Sequence, residues 1–251
     1  MAGHSHWANI KHKKAANDAK KAKVITQCSR LIKGAIMHGG ADLDTNPRLR
    51  LAVAKARSMN MTNDAIKRAI ERFSGGNDDD KPMEELVYEG YAAEGVAVVV
   101  EALTDNRNRT APEIRKLFER GGGSMGAPGC VAWQFHQKAT FLTRGADEDR
   151  IMEILLEADA DAEDIAAEDD EQVSITAAPE YYDQIANALD QAGVEIVASD
   201  VAKMPENTVA IDDVDTGQKI QRLLDALDDH DDVTSVSTNF APSPAVAETL
   251  D

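Results

Sequence analysis

Apolar residues in the first third of the chain fall at helical spacing. Between Ala15 and His38 they occupy Val24, Cys28, Leu31 and Ala35, with Ile25, Ile32 and Ile36 widening the stripe. That recurrence every three to four residues predicts an amphipathic helix, and Gly39 and Gly40 end it. Thr45 or Asn46 caps a second helix with Pro47 in its first turn and Leu49, Ala52, Val53 and Ala56 on one face. Thr62 or Asn63 opens a third, with Ile66, Ala69, Ile70 and Phe73 inward. Three short helices on short connections predict a three-helix bundle over residues 1–77. Residues 74–82, rich in Gly and Asp, read as a linker.

Beyond Pro82 the pattern turns mixed. Leu86–Tyr91 and Val96–Leu103 read as strands around a tight connection at Ala93–Gly95. Thr110, Pro112 and Glu113 suggest a capping-box start for a helix ending near Arg120. A glycine-rich stretch at 121–129 then leads into expected strands at Val131–Phe135 and Thr140–Thr143. From Thr140 the predicted order is β-α-β-β-α-β, the ferredoxin-like order, with helices at Asp147–Ala158 and Pro179–Ala192. A strand near Ile165 and strands at Val173–Ala177 and Val194–Val201 complete it. Strand Thr208–Ile211, helix Thr216–Leu227 and strand Val233–Thr238 follow, and residues past Phe240 look frayed.

Charge changes this picture more than composition does. The net charge is −18, yet residues 1–77 carry 15 Lys and Arg against 5 acids, whereas residues 78–251 carry 12 against 40. Fields act locally and are screened beyond about 10 Å at moderate salt, so the basic segment has to be judged by itself. Lys11, Lys13, Lys14, Lys20, Lys21, Lys23, Arg30 and Lys33 stand against Asp18 alone in residues 11–33. The second helix adds Arg48, Arg50, Lys55 and Arg57, the third Lys67, Arg68 and Arg72. A charge run is usually a solvated face, but solvated faces mix signs. One-signed clustering predicts a polyanion partner whose counterions are released on binding. Trp7 either stacks on an unpaired base or covers one end of the helical core, and His12 sits beside the lysines. Asn106, Arg107, Asn108 and Arg109 lie on an expected loop that either contacts phosphates and bases or merely satisfies a strand end and a helix start.

Other chemistries find little support. His4, His6 and His12 lack a carboxylate or thiol to complete a metal site. A free Ala2-Gly3-His4 terminus would suit Cu(II) or Ni(II), but His near phosphates is the simpler reading. Residues 121–129 (GGGSMGAPG) lack the closing Lys-Ser/Thr of a phosphate loop and run from helix into strand, the wrong order. The stretch either reaches into a narrow RNA or protein cleft or is a flexible connection. Cys28 and Cys130 read as reduced, buried thiols. No apolar run approaches the ~18 residues of a membrane span, and no secretory signal is evident. The expectation is a cytoplasmic, non-enzymatic protein without metal, cofactor or small-molecule substrate.

Several strings are more specific: MAGHSHWANIKHKKAA (1–16), NPRLR (46–50), YEGY (88–91), VEALTDNRNRT (100–110), GCVAW (129–133) and NTV (207–209). Together they resemble the YebC/PmpR family over nearly the whole chain, although position 6, often Lys in that family, is His here, and residues 123–129 vary. The resemblance implies an α+β multidomain protein with three domains. The basic three-helix bundle (1–77) is followed by an α+β domain formed by 83–137 with 205–240, and a ferredoxin-like domain (138–204) is inserted into it. It also implies a regulator of gene expression without catalysis. Family members are described as promoter-binding transcriptional regulators, and others, including a mitochondrial translational activator, are tied to the ribosome. Two functional expectations follow: a DNA-binding transcriptional regulator, or a translation factor that associates with the ribosome and binds ribosomal RNA or tRNA by shape. The expected contact residues are Trp7, Lys11, His12, Lys13, Lys14, Lys20, Lys21, Lys23, Arg30, Arg48, Arg50, Arg107 and Arg109. A protein-only adaptor built on the acidic domains would leave the basic segment unexplained.

Overall fold

A computed structural model describes residues 21–74, 83–169 and 171–250. Helices α1 (Lys21–Gly39), α2 (Pro47–Ser58) and α3 (Asn63–Ser74) form the bundle. Its core is Cys28, Ile32, Ala35, Ile36, Leu49, Ala52, Val53, Ala56, Met61, Ile66 and Ala69. Asn46 fixes the first corner. Its Oδ1 accepts from the Leu49 N–H at 3.1 Å to cap α2, while its Nδ2 donates to the carbonyls of Ala35 (2.9 Å) and Gly40 (2.7 Å) at the end of α1. A polar side chain can be almost fully buried there because each of those groups finds a partner.

Strands β1 (Glu84–Tyr91) and β2 (Ala97–Thr104) form an antiparallel hairpin around a 3₁₀ turn at Ala93–Gly95. Helix α3 is separated from α4 (Arg107–Arg120) by this hairpin. The α4 helix begins three residues before the expected Thr110, because Asn106 caps it by accepting from the Arg109 N–H. The short β3 (Ser124–Met125) returns to pair with β1. The expected strand Val131–Phe135 is instead a 3₁₀ turn at Ala132–Gln134, followed by β4 (Phe135–Arg144). The cause is Glu89, whose carboxylate accepts from the backbone N–H groups of Gly129, Val131 and Ala132 at 2.6–2.8 Å and curls that segment.

Next come α5 (Glu148–Glu157), β5 (Asp164–Asp169), β6 (Gln172–Ala177), α6 (Tyr182–Gln191) and β7 (Glu195–Pro205). Their sheet order, β5-β6-β4-β7, is antiparallel throughout and ferredoxin-like. Helices α5 and α6 cover one face, where Phe141 stacks on Tyr182 at 5.0 Å. The chain closes with β8 (Val209–Ile211), α7 (Val214–Asp228), β9 (Val233–Thr238), β10 (Phe240–Pro242) and α8 (Pro244–Ala247). Strand β9 returns to β2 and completes the sheet β3-β1-β2-β9. Helices α4 and α7 pack on one face of that sheet against Val96, Val98 and Val100. Ala97 and Val99 point to the other face, with Val131 and Phe135. The residues after Phe240 are not frayed. Strand β10 pairs in parallel with β8, and Val246 is fully buried against Gly217 of α7.

Candidate nucleic-acid interface

Of the expected contact residues, Trp7, Lys11, His12, Lys13, Lys14 and Lys20 lie outside the described residues, and Lys21 and Lys23 fall in the first turn of α1. The others divide by where they point. Arg30, Arg48 and Arg50 face the rest of the molecule, as does Lys55, and each meets a carboxylate of the acidic units. Arg30 bonds Asp232, Arg48 bonds Glu85 (3.0 Å), Arg50 bonds Asp183 (2.8 Å) and Lys55 bonds Asp200 (2.8 Å). This side of the bundle is a docking seam. Gln27 adds a bond to the Asp228 carbonyl (2.7 Å), and Gly34 lets α1 approach so closely that an added Cβ would stand 2.7 Å from Leu103 Cδ2. Lys55, Glu101, Leu103 and Asp200 line a cleft of about 280 Å³ where the three units meet.

Asp232 is the hub of the seam. Its side chain is only 2% exposed. It accepts from Arg30, from Arg109 Nη2 (2.8 Å), from Thr110 Oγ1 (2.7 Å) and from Thr104 Oγ1 (3.1 Å). Burial alone would raise its pKa. The hydrogen bonds from Arg109, Thr110 and Arg30 outweigh burial and hold the carboxyl far below the usual range. Arg30 and Arg109, both expected at the nucleic acid, thus share one buried carboxylate. At Lys55, burial works against the charge, but Asp200 more than compensates and raises the pKa. Glu101 is lowered: burial opposes its charge, and Ser235 and Lys203 restore it.

The other side of the bundle is different. Arg57, Arg68 and Arg72 are exposed, and among the described residues none forms an ion pair with a carboxylate. Arg57 donates to the neutral Asn63 Oδ1 (3.2 Å) and Arg68 to the Asp64 carbonyl (3.1 Å). Lys33 and Arg72 lie over the Phe73 ring at 5.7 and 5.4 Å. Lys67 stands 4.0 Å from Glu71, an exposed pair on one helix. Composition alone does not sort these residues into an inward and an outward set, because that depends on which bundle face meets the sheets.

The loop candidates are also placed. Arg107 and Asn108 are exposed in the first turn of α4. Residues 121–129 are braced rather than flexible. Gly126 N–H bonds the Glu89 carbonyl (2.8 Å), β3 pairs with β1, and a Cβ at Gly123 would lie 2.3 Å from the Tyr91 carbonyl oxygen. Burial raises the Glu89 carboxyl, but its three backbone donors lower it more, so it stays charged as the anchor of this loop. Beside the loop, Trp133 is 69% exposed, its Nε1 on the Cys130 carbonyl, which also accepts from the Tyr91 hydroxyl. No local pattern in the sequence signals the exposure of Trp133.

Both cysteines are free, but only Cys28 is fully buried; burial pushes its thiol up to about 11. Among the described residues no cluster of three or more His, Cys, Asp or Glu is placed to hold a metal ion. No described helix is long and apolar enough to cross a membrane.

A cationic helical bundle docked by ion pairs onto two anionic antiparallel-sheet units, one inserted in the other, defines an α+β protein whose distinctive surface is electrostatic. The profile of the TACO1/YebC N-terminal domain matches residues 5–76, and that of the TACO1/YebC second and third domain matches residues 83–240. The chain is 47% identical over the full length of both chains to a probable transcriptional regulatory protein of Chromohalobacter salexigens. It is 46% identical, again over both full lengths, to the probable transcriptional regulatory protein YebC of Shigella dysenteriae. The crystal structure of a conserved hypothetical protein from Aquifex aeolicus superposes with a TM-score of 0.81 at 40% identity, covering 95% of this chain and 98% of that one. The chain belongs to the TACO1/YebC family.

Proposed function

We propose that this protein is a nucleic-acid-binding regulator of gene expression that holds promoter DNA with the outward face of its bundle. The observation that carries the reading is the set Arg57, Arg68 and Arg72, exposed and without a carboxylate partner among the described residues. In sequence, the lysines at 11, 13, 14, 20, 21 and 23 add to the positive charge of the same segment. Cations left unneutralised beside an acidic body act as a local positive field, and phosphate is the ligand that gains most from it. The four-residue connection between α2 and α3, residues 59–62, suits a helix-turn-helix pair, with α3 offering Asn63, Lys67, Arg68 and Arg72 to a groove. The naming of the relatives as probable transcriptional regulatory proteins agrees with this reading. The protein performs no chemistry in this role and needs no cofactor.

A second reading, a translation factor on ribosomal RNA or tRNA, is favoured by one observation: Trp133 is exposed on the 3₁₀ turn that Glu89 holds, as a base-stacking side chain would be. Crosslinking bound nucleic acid in cells and sequencing it separates the two. Recovery of a few promoters supports the first reading, and enrichment of ribosomal RNA or tRNA overturns it in favour of the second. Replacing Arg57, Arg68 and Arg72 by Glu abolishes recovery under either reading; undiminished recovery overturns both.

A further inference from the structure

The bundle does not hold all the outward positive charge. Residues 78–251 are strongly acidic, yet seven of their twelve cations lie on α4 and α7: Arg107, Arg109, Arg115, Lys116, Arg120, Lys219 and Arg222. The α4 helix carries five of them against Glu113 and Glu119 alone.

The two helices pack side by side and antiparallel. A Cβ at Gly121, at the end of α4, would stand 2.7 Å from Leu223 Cβ, while Glu113 near the start of α4 meets His230 just past the end of α7 at 3.0 Å. Helix α4 buries Thr110, Ile114 and Phe118, and α7 buries Ile220, Leu223, Leu224 and Leu227. With 3.6 residues per turn, Lys116 and Arg120 then fall on the α4 flank that turns from the core toward α7. Lys219 and Arg222 fall on the α7 flank toward α4. All four are exposed. Lys219 lies across the last turn of α4, where a Cβ on Gly122 would come 2.3 Å from its Nζ, close to the negative end of the helix dipole. Among the described residues none of the four forms an ion pair, and Arg222 donates to the neutral Gln218 Oε1 (3.3 Å). Glu113 is taken by His230, and Glu119 lies on the opposite flank of α4, beside Arg115; the exposed Asp215 of α7, one turn before Lys219, is the acid on the groove flank of α7.

We propose that the outer groove between α4 and α7 is a second phosphate-contact surface, engaging the backbone of the same nucleic acid that the bundle holds. The proposal rests on the reading above that the bundle grips nucleic acid. Continuity supports it: Arg109 in the first turn of α4 shares Asp232 with Arg30 of α1, so the cationic ridge begins where the bundle docks. It runs the 14 residues of α4, a length of about 20 Å. Cations spaced along such a ridge match a repeating backbone of phosphates better than a single carboxylate-bearing ligand. The acidic surface around it would turn nucleic acid away elsewhere.

The test uses the full chain and a fluorescent DNA duplex, with affinity followed by anisotropy over a salt series. Three proteins are compared: the unmodified chain, a groove variant (Lys116→Ala, Arg120→Ala, Lys219→Ala, Arg222→Ala) and a bundle variant (Arg57→Ala, Arg68→Ala, Arg72→Ala). Each lost phosphate contact lowers the magnitude of the log K against log salt slope by about 0.9. The groove variant is therefore expected to lose about 3 to 4 from the slope, with an unchanged far-ultraviolet circular dichroism spectrum. A groove variant with the unmodified slope, beside a weakened bundle variant, overturns the second surface and leaves the first standing; this is also the outcome if the groove serves an acidic protein. If neither variant changes the slope, the reading on which the proposal rests fails with it.

Discussion

Arg30 and Arg72 belong to one bundle, but they meet different surroundings. Arg30 ends on a carboxylate buried between two units, together with a second arginine and two threonine hydroxyls. Arg72 ends over an aromatic ring at the surface, with no acid beside it among the described residues. The inward cations pair with the acidic units; the outward ones have no carboxylate partner among the described residues. A charge count over residues 1–77 merges the two sets. Arg30, Arg48, Arg50 and Lys55 are already matched by the body's own acids. The lesson is that a basic domain on an acidic protein is first a docking element, and only its remainder is an external field.

The largest effect expected of this division is at its hub. Asp232→Asn leaves Arg30 and Arg109 facing each other with only the exposed Asp105, 3.2 Å from Arg109, as a counter-charge. Losing one member of a fully buried pair costs about 3–5 kcal/mol, and the partly exposed arginines can regain some water, so a loss of about 2–4 kcal/mol is expected by chemical denaturation. A loss below about 0.5 kcal/mol would mean the seam does not stabilise the fold. The same hub sets the acid limit. Because the folded Asp232 is held well below its unfolded value of about 3.9, its stabilising contribution is complete above that pH and falls away as pH drops toward the folded value. Unfolding free energy should therefore decline steeply below about pH 4 in the unmodified protein and more shallowly in Asp232→Asn; parallel curves would contradict the assignment. Gly34→Val, which drives a side chain into Leu103, is expected to cost about 1–3 kcal/mol and to loosen the bundle from the sheet, seen as faster amide exchange in β2. Arg48→Ala removes an exposed pair with Glu85 and should cost no more than about 1 kcal/mol. At the small end, Arg68→Ala and Arg72→Ala together should change stability by about 0.5 kcal/mol or less while weakening nucleic-acid binding.

The sequence made the elements legible where one local rule decided them. The run Ala97–Thr104, apolar on both faces, implies a strand covered on both sides, and only Glu101 in it is less than buried. Thr45 or Asn46, with Pro47, marks the start of α2, and Asn46 is the residue that caps it. What escaped notice was decided at long range. The residue read as a capping threonine, Thr110, turns its hydroxyl to Asp232, 122 positions away, while Asn106 does the capping. Val131 was expected in a strand because nothing nearby reveals that Glu89 claims its N–H. The tail looked frayed because the site for Val246, beside Gly217, is made by a different helix. The candidate site was legible to a lesser degree: the basic segment could be read off the chain, but not the direction of its cations, since each inward one pairs with a carboxylate that only the docked units supply.

The most direct measurement is the salt dependence of duplex-DNA affinity for two variants of the bundle side by side. Arg57→Ala, Arg68→Ala, Arg72→Ala should reduce the slope magnitude by about 2 to 3 and leave stability nearly unchanged. Arg48→Ala, Lys55→Ala should lower stability and leave the slope as it was. If the inward pair changes the slope and the outward triple does not, the division of the bundle into a docking face and a binding face is contradicted.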